Sequence, residues 1–234
     1  MEVLAIIPAR GGSKGIKRKN LVQVLGKPLV VHSIEHARAA GCVTRTIVST
    51  EDNEIAQVAL AAGAEVPFMR PDCLAGDTVL DLPVFQHVLE ELRQREGYTP
   101  DLIVHLRPTT PLRRHPWIDT AVELLSANPE ADSVRSVSMP AQHPYRVFRI
   151  DGRGYLDPIM KHEHPIPFLL RRQELPHMYY YNCVIDVTRP STITNKESMT
   201  GDNMLPFIMN ADEVIDIDSP RDLAFARLLM EGSP

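Results

Sequence analysis

Short apolar runs alternate with segments of helical period along most of the chain. No other feature of the sequence restricts the fold as strongly. Residues 3–7 form a compact apolar run, the mark of a strand covered on both faces, and 102–106 read as another buried strand; 45–49, 65–68 and 133–137 also read as strands. Between them lie helical segments at 29–40, 52–62, 80–95 and 116–126, with spacings such as Val84, Phe85, Val88, Leu89 and Leu92. Gly41 and Gly63 stand where helix caps are expected, and Pro116 where a first helical turn tolerates proline. The alternation predicts an α/β fold, a Rossmann-like, doubly wound, mostly parallel sheet with helices on both faces. Ligands of such sheets bind beyond the carboxyl ends of the strands. Here that means the loops at 8–19, 49–52, 70–78 and 107–114.

The pattern breaks over residues 139–176, where prolines cluster and a hairpin-like stretch (147–156) replaces helical spacing. We read this as an arm inserted into a single domain spanning 1–234. Strand character returns over 178–187. A late strand is expected at 214–217, followed by a terminal helix at 219–230 with Ser219 as its N-cap. A length of 234 residues suits one domain. With 44% hydrophobic and 24% charged residues, disorder, coiled coil and collagen are excluded.

The net charge of −5 is unevenly spread. From Val3 to Ile34 there are six basic residues and no acidic one, so that window is +6 and the remainder −11. An acidic chain of this kind is a poor general nucleic-acid binder, and its basic window points instead to a specific anion site. Three scattered cysteines, Cys42, Cys73 and Cys183, give neither a disulfide framework nor a zinc knuckle and suit a reducing cytoplasm. No leader of secretory length precedes the first strand, and no window approaches the ~20 apolar residues of a membrane helix.

The basic window contains Pro8-Ala9-Arg10-Gly11-Gly12-Ser13-Lys14-Gly15-Ile16-Lys17-Arg18-Lys19-Asn20, directly after the first strand. Glycines let backbone N–H groups face an anion, and Arg10, Lys14 and Lys19 can pair with phosphate oxygens. The spacing fits neither a Walker loop nor a dinucleotide fingerprint. Asp216-Ile217-Asp218 places two carboxylates on one face of an extended segment, suited to Mg²⁺ beside a phosphate, although Asp218 could equally cap a helix. The run from Arg107 through Thr109 and Thr110 to Arg113 offers hydroxyls and guanidinium groups to a hydroxylated, anionic ligand, or forms a proline-bounded rigid loop. His32 and His36 have helical spacing but no third metal ligand, and the His162–His164 pair reads as polar loop. No nucleophile elbow is present.

On these motifs the chain resembles the acylneuraminate cytidylyltransferases, the CMP-sialic acid synthetases. The likeness rests on Ile6–Gly15, Lys19-Asn20-Leu21, Gly26-Lys27-Pro28-Leu29 and Val48-Ser49-Thr50. It continues through Arg70-Pro71, Asp77-Thr78, Arg107–Arg113, Arg172-Gln173 and Asp216–Ser219, nearly the whole chain in order. The resemblance implies transfer of CMP from CTP to a nine-carbon 2-keto sugar acid, with release of pyrophosphate and a requirement for Mg²⁺, which Mn²⁺ could replace. It implies that Arg10, Lys19, Asp216 and Asp218 are catalytic and that the two aspartates hold the metal. Pro8, Ala9, Gly11, Gly12, Ser13, Lys14, Asn20, Arg70 and Asp77 would complete the nucleotide site. Arg107, Thr109, Thr110, Arg146, Arg172 and Asn182 would face the sugar, and the arm would join two subunits into a homodimer. Three departures fall on the sugar side. Arg107 stands where glutamine is frequent, Tyr180-Tyr181-Asn182-Cys183 where Arg-Pro-Asn-Gly is frequent, and Asp186 where a tyrosine of the acyl pocket is expected. A legionaminic, pseudaminic or deaminated acid is therefore as compatible as N-acetylneuraminic acid. Two other readings stay open: a nucleotide-sugar glycosyltransferase using Asp-x-Asp, and a non-catalytic nucleotide-binding regulator.

Overall fold

The computed structural model describes residues 1–161 and 163–231; His162 lies outside them. In chain order the strands are β1 (Val3–Pro8), β2 (Gln23–Val24), β3 (Lys27–Pro28), β4 (Arg45–Ser49), β5 (Leu102–His105), β6 (Ser133–Ser138), β7 (Phe148–Ile150), β8 (Leu156–Pro158), β9 (Tyr180–Thr188) and β10 (Met204–Met209). The α-helices are α1 (Leu29–Ala39), α2 (Asn53–Ala61), α3 (Asp81–Glu96), α4 (Trp117–Ser126), α5 (Pro190–Thr194) and α6 (Pro220–Glu231).

Six strands form one sheet in the order β10-β6-β9-β5-β1-β4. β1 is parallel to β4 and β5, and β10 to β6; β9 alone runs antiparallel, between β5 and β6. The fold is therefore the mostly parallel α/β sheet predicted above. Side chains of β1 alternate between the faces, as a period of two requires. Val3, Ala5 and Ile7 pack with the apolar stripes of α1, α2 and α4, whereas Leu4 and Ile6 pack with Phe85, Val88 and Leu92 of α3. Burying one such side chain contributes about 1.5–3 kcal/mol.

Local chemistry sets the helix ends. The carboxylate of Asp52 accepts from the backbone N–H groups of Glu54 and Ile55, both at 3.0 Å, capping α2. Gly97, at φ +64°, ends α3 in the left-handed conformation that glycine adopts without penalty. Ala40, in an extended conformation, closes α1, so Gly41 lies one residue beyond the cap it was expected to form.

Two strand expectations need correction. Residues 214–217 are extended but pair with no strand. Ile215 and Ile217 instead bury against Val24, Leu29 and Ala226, and the Ile217 N–H donates to the Thr109 carbonyl at 2.8 Å. Residues 65–68 contribute only a bridge between Glu65 and Ile47. The sheet edge is supplied by β10, which carries Pro206; an edge strand tolerates the missing N–H.

Between β6 and β9 the chain leaves the sheet. The β7–β8 ribbon forms there, its turn held by Asp151, which accepts from the N–H groups of Arg153 and Tyr155. Ile150, Tyr155, Leu156 and Leu169 stand exposed on this segment. No helix among the described residues is long and apolar enough to cross a membrane.

Candidate functional site

The carboxyl ends of β1 and β5 open into a cleft of about 400 Å³. Of the four loops predicted to border it, three do so. Residues 49–52 instead support it from behind. The Ser49 side chain and carbonyl accept from Arg70, at 3.0 and 2.5 Å, and Glu51 accepts from the Gly11 N–H at 2.7 Å. That bond means the Gly11 N–H is committed to Glu51, contrary to an anion-facing role. Gly11 is needed for a different reason: a Cβ there would lie 2.5 Å from an oxygen of Asp52.

The basic window divides by position. Arg10, Lys14 and Lys19 line the cleft together with Pro8, Ser13 and Asn20. Arg18 pairs instead with Asp52 and Glu54, and Lys27 with Glu35, so both fasten secondary structure. Asp77 bridges two of the cleft cations, 3.0 Å from Arg10 and 2.7 Å from Lys14, and Lys14, then Arg10, hold its carboxyl below the usual range. Asn20 is buried and donates to the Arg10 carbonyl at 2.8 Å, which fixes the loop's curvature. Ala9 is fully buried and Gly12 touches nothing within 4 Å of a built Cβ; neither lines the cleft.

Asp218, of the carboxylate pair, lines the same cleft from the other end of the chain. Lys19 donates to the Ile217 carbonyl and to Asp218, each at 2.9 Å. A Cβ on Gly15 would lie 2.4 Å from the Asp218 carbonyl oxygen, so only glycine allows this approach. Asp216 is half-buried, and its Oδ1 has no hydrogen-bond partner. Burial, and then the nearby Asp218, push its pKa up against the opposing pull of Thr109, Lys19 and Arg107. A buried carboxylate oxygen without a partner, with a second carboxylate two residues on, fits a hard divalent cation that takes its remaining ligands from phosphate and water.

Beyond β5 the cleft wall is built on charge. Arg107 donates from Nη1 to Asp186 at 2.8 Å and to Tyr181 at 2.9 Å, and from Nη2 to Asp81 at 2.9 Å. Asp186, on β9, is fully buried and also takes Arg135 at 2.8 Å and the Tyr181 hydroxyl. Burial lowers the pKa of Arg107, but Asp186, Tyr181 and Asp81 outweigh it and leave it raised. Arg113, completely buried, is pushed down to about 9 by burial and by Arg107. It holds the Arg107 carbonyl and the Thr110 hydroxyl, so Thr110 supports the loop and does not face the cleft.

The remaining sugar-side candidates lie elsewhere. Asn182 is buried and donates to Ser138 at the base of the arm. Arg146 donates to the Leu170 carbonyl within the arm. Arg172 lines a separate cavity of about 330 Å³ with Met139, His143 and Pro176. His32 is committed to the Val24 carbonyl, and burial pushes His36 down to about 3. The sequence reading missed Asp81, whose only signal was an acidic residue opening α3, and it had no signal that Asp186 pairs with Arg107.

A cytidylyltransferase family model matches residues 4–200. A CMP-N,N'-diacetyllegionaminic acid synthase of Legionella pneumophila is 34% identical over 99% of this chain and 97% of its own. A pseudaminic acid cytidylyltransferase of Campylobacter jejuni is 30% identical over 98% of this chain and 96% of its own. Among solved structures, a CMP:2-keto-3-deoxy-manno-octonic acid synthetase complexed with CTP superposes with a TM-score of 0.72 at 20% identity, over 99% of each chain, a likeness of fold.

Proposed function

The chain belongs to the cytidylyltransferase family, and from that premise we propose that it transfers CMP from CTP to a nine-carbon 2-keto sugar acid, releasing pyrophosphate. It is a nucleotidyltransferase; the acid is proposed from the full-length relatives that act on legionaminic and pseudaminic acids. The observation that carries the reading is the convergence of Arg10, Lys14 and Lys19 with Asp218 in one cleft. The family gives no support to a glycosyltransferase or a silent regulator.

In the proposed reaction the anomeric hydroxyl of the acid attacks the α-phosphorus in line and the bond to the β-phosphate oxygen breaks. Such displacements depend on positioning and electrostatics and need no covalent enzyme intermediate. Arg10 and Lys14 lie where they can exchange Asp77 for phosphate oxygens and stabilise the charge gathering on pyrophosphate. Lys19 steadies the segment that carries Asp218. Asp216 and Asp218 are the residues that would hold Mg²⁺, or Mn²⁺, which supplies positive charge beside the reacting phosphate. Arg70, fixed by Ser49, is assigned to the nucleotide, and Arg107 and Thr109 to the acid.

The exposed apolar side chains at 150, 155, 156 and 169 support an arm that joins two subunits in a homodimer. Arg146, Arg172 and Asn182 belong to that arm or its base and are assigned to the sugar side through it. A cytoplasmic location fits a CTP-consuming reaction and three free cysteines. Pyrophosphate release measured with each of the four nucleoside triphosphates, with and without a panel of nonulosonic acids, tests the reading. Release with CTP plus an acid alone is expected, and release without an acid, or from another triphosphate, overturns it.

A further inference from the structure

We propose that Asp186 is a positioning residue that acts through Arg107 to set the side of the cleft receiving the acid substrate; this rests on the function proposed above. The sheet order gives the first reason. The phosphate loop follows β1, Arg107 follows the neighbouring β5, and Asp186 stands on β9, the next strand outward. Arg107 thus stands one strand away from the phosphate loop, with one amino group on Asp186 of β9 and the other on Asp81 at the start of α3.

The second reason is what Asp186 is bonded to. A fully buried carboxylate is costly unless it is paired, and this one gathers Arg107, Arg135 and Tyr181 on a single oxygen, Oδ2. Its Oδ1 has no partner, and neither has either ring nitrogen of His105, whose Nδ1 lies 3.7 Å from Oδ2. A carboxylate serving only to bind the sheet together would be expected to use both oxygens. Here Oδ2 takes all three, Arg107 from the β5 side and Arg135 from the β6 side.

The third reason is the donor count of Arg107. A guanidinium has five N–H donors in a fixed fork. Asp186, Tyr181 and Asp81 take one each, so its plane is set from two sides and two donors remain for a ligand. Arg113 closes the back by holding the Arg107 carbonyl at 2.7 Å. Two guanidinium groups, Arg107 and Arg135, share the one buried carboxylate of Asp186.

The test is a double-mutant cycle on the full chain, D186N, R107A and D186N/R107A, read as pyrophosphate release with CTP and the best acid of the panel. Each single variant is expected to raise KM for the acid about tenfold or more while KM for CTP changes less than twofold, and the double variant should be no worse than R107A. Additive losses, or a fall in kcat with both KM values unchanged, overturn the inference and leave a structural role. Should D186N fail to fold, Tyr181→Phe removes a hydroxyl shared by Arg107 and Asp186 and keeps both charges. It should raise KM for the acid severalfold, and an unchanged value overturns the inference. A wild-type chain silent with CTP and every acid overturns the proposed function and this inference together, whereas an active wild type with an unchanged D186N overturns the inference alone.

Discussion

The ammonium of Lys19 lies 2.9 Å from the carboxylate of Asp218, joining the loop after the first strand to a segment 199 residues further along the chain. The same ammonium holds the Ile217 carbonyl. The basic loop and the carboxylate segment, at opposite ends of the sequence, thus meet at one edge of the cleft.

Asp218→Ala should lower turnover by about 10²-fold or more, the size of effect seen when one preorganised charge is removed from a transition state. Asp218 is largely exposed, so loss of its ion pair should leave thermal unfolding nearly unchanged. Pyrophosphate release at saturating Mg²⁺ within a few-fold of wild type would remove the carboxylate from the chemistry.

Asp216→Asn should be inactive yet more stable without metal. Burial raises the Asp216 pKa above its unfolded value. The native state therefore holds more protons than the unfolded state from about pH 3.8 up to the raised value, and stability falls as pH climbs through that window. Removing the charge should restore on the order of 1 kcal/mol, or about 2–4 °C in Tm for a chain of this size. Thermal melts against pH, with and without Mg²⁺, read this directly. A pH dependence identical in the variant and the wild type would be the contrary result.

Asp77→Asn should free Arg10 and Lys14 from a competing carboxylate. KM for CTP is expected to fall about two- to fivefold, the range that exposed ion pairs of this kind support. A rise in KM would show that Asp77 holds the nucleotide itself.

Gly15→Ala should damage the site where Gly12→Ala does not. At position 15 a methyl would collide with the Asp218 carbonyl, a backbone atom, whereas at position 12 it meets nothing. Displacing the carboxylate segment by about 1 Å can cost on the order of 10²-fold in rate. Paired kinetics of the two variants decide the matter, and equal activities would contradict the close approach.

Leu156→Asp combined with Leu169→Asp should yield a monomer by light scattering, because both side chains are about 70% exposed on the arm and such patches mark protein contacts. A wild-type chain that is itself monomeric overturns the proposed homodimer, and a dimeric mass unchanged in the variant places its contact outside the arm.

Where local patterning decides structure, the sequence was readable. The apolar runs of β1 and β5 have few alternatives, and Asp52 and Gly97 cap helices through bonds a few residues long. β10 escaped because Pro206 argues against a strand unless its edge position is known. Residues 214–217 misled because any extended segment burying Ile215 and Ile217 alternates like a strand, and pairing is settled by distant neighbours. In the site, Arg10, Lys14 and Lys19 declare themselves by charge next to glycine. Their partners do not: Asp77 meets Arg10 across 67 residues, and Asp186 meets Arg107 across 79.

The arm begins and ends on neighbouring strands, with Ser138 of β6 facing Tyr180 of β9 across a ladder pair. Its two ends are thus already brought together by the sheet, and the entropy of closing the loop grows only with the logarithm of its length. Doubling the arm would cost about 0.6 kcal/mol. Insertions and deletions there are therefore nearly free for the sheet, and the arm can change length and sequence while the strands carrying the basic loop keep their register.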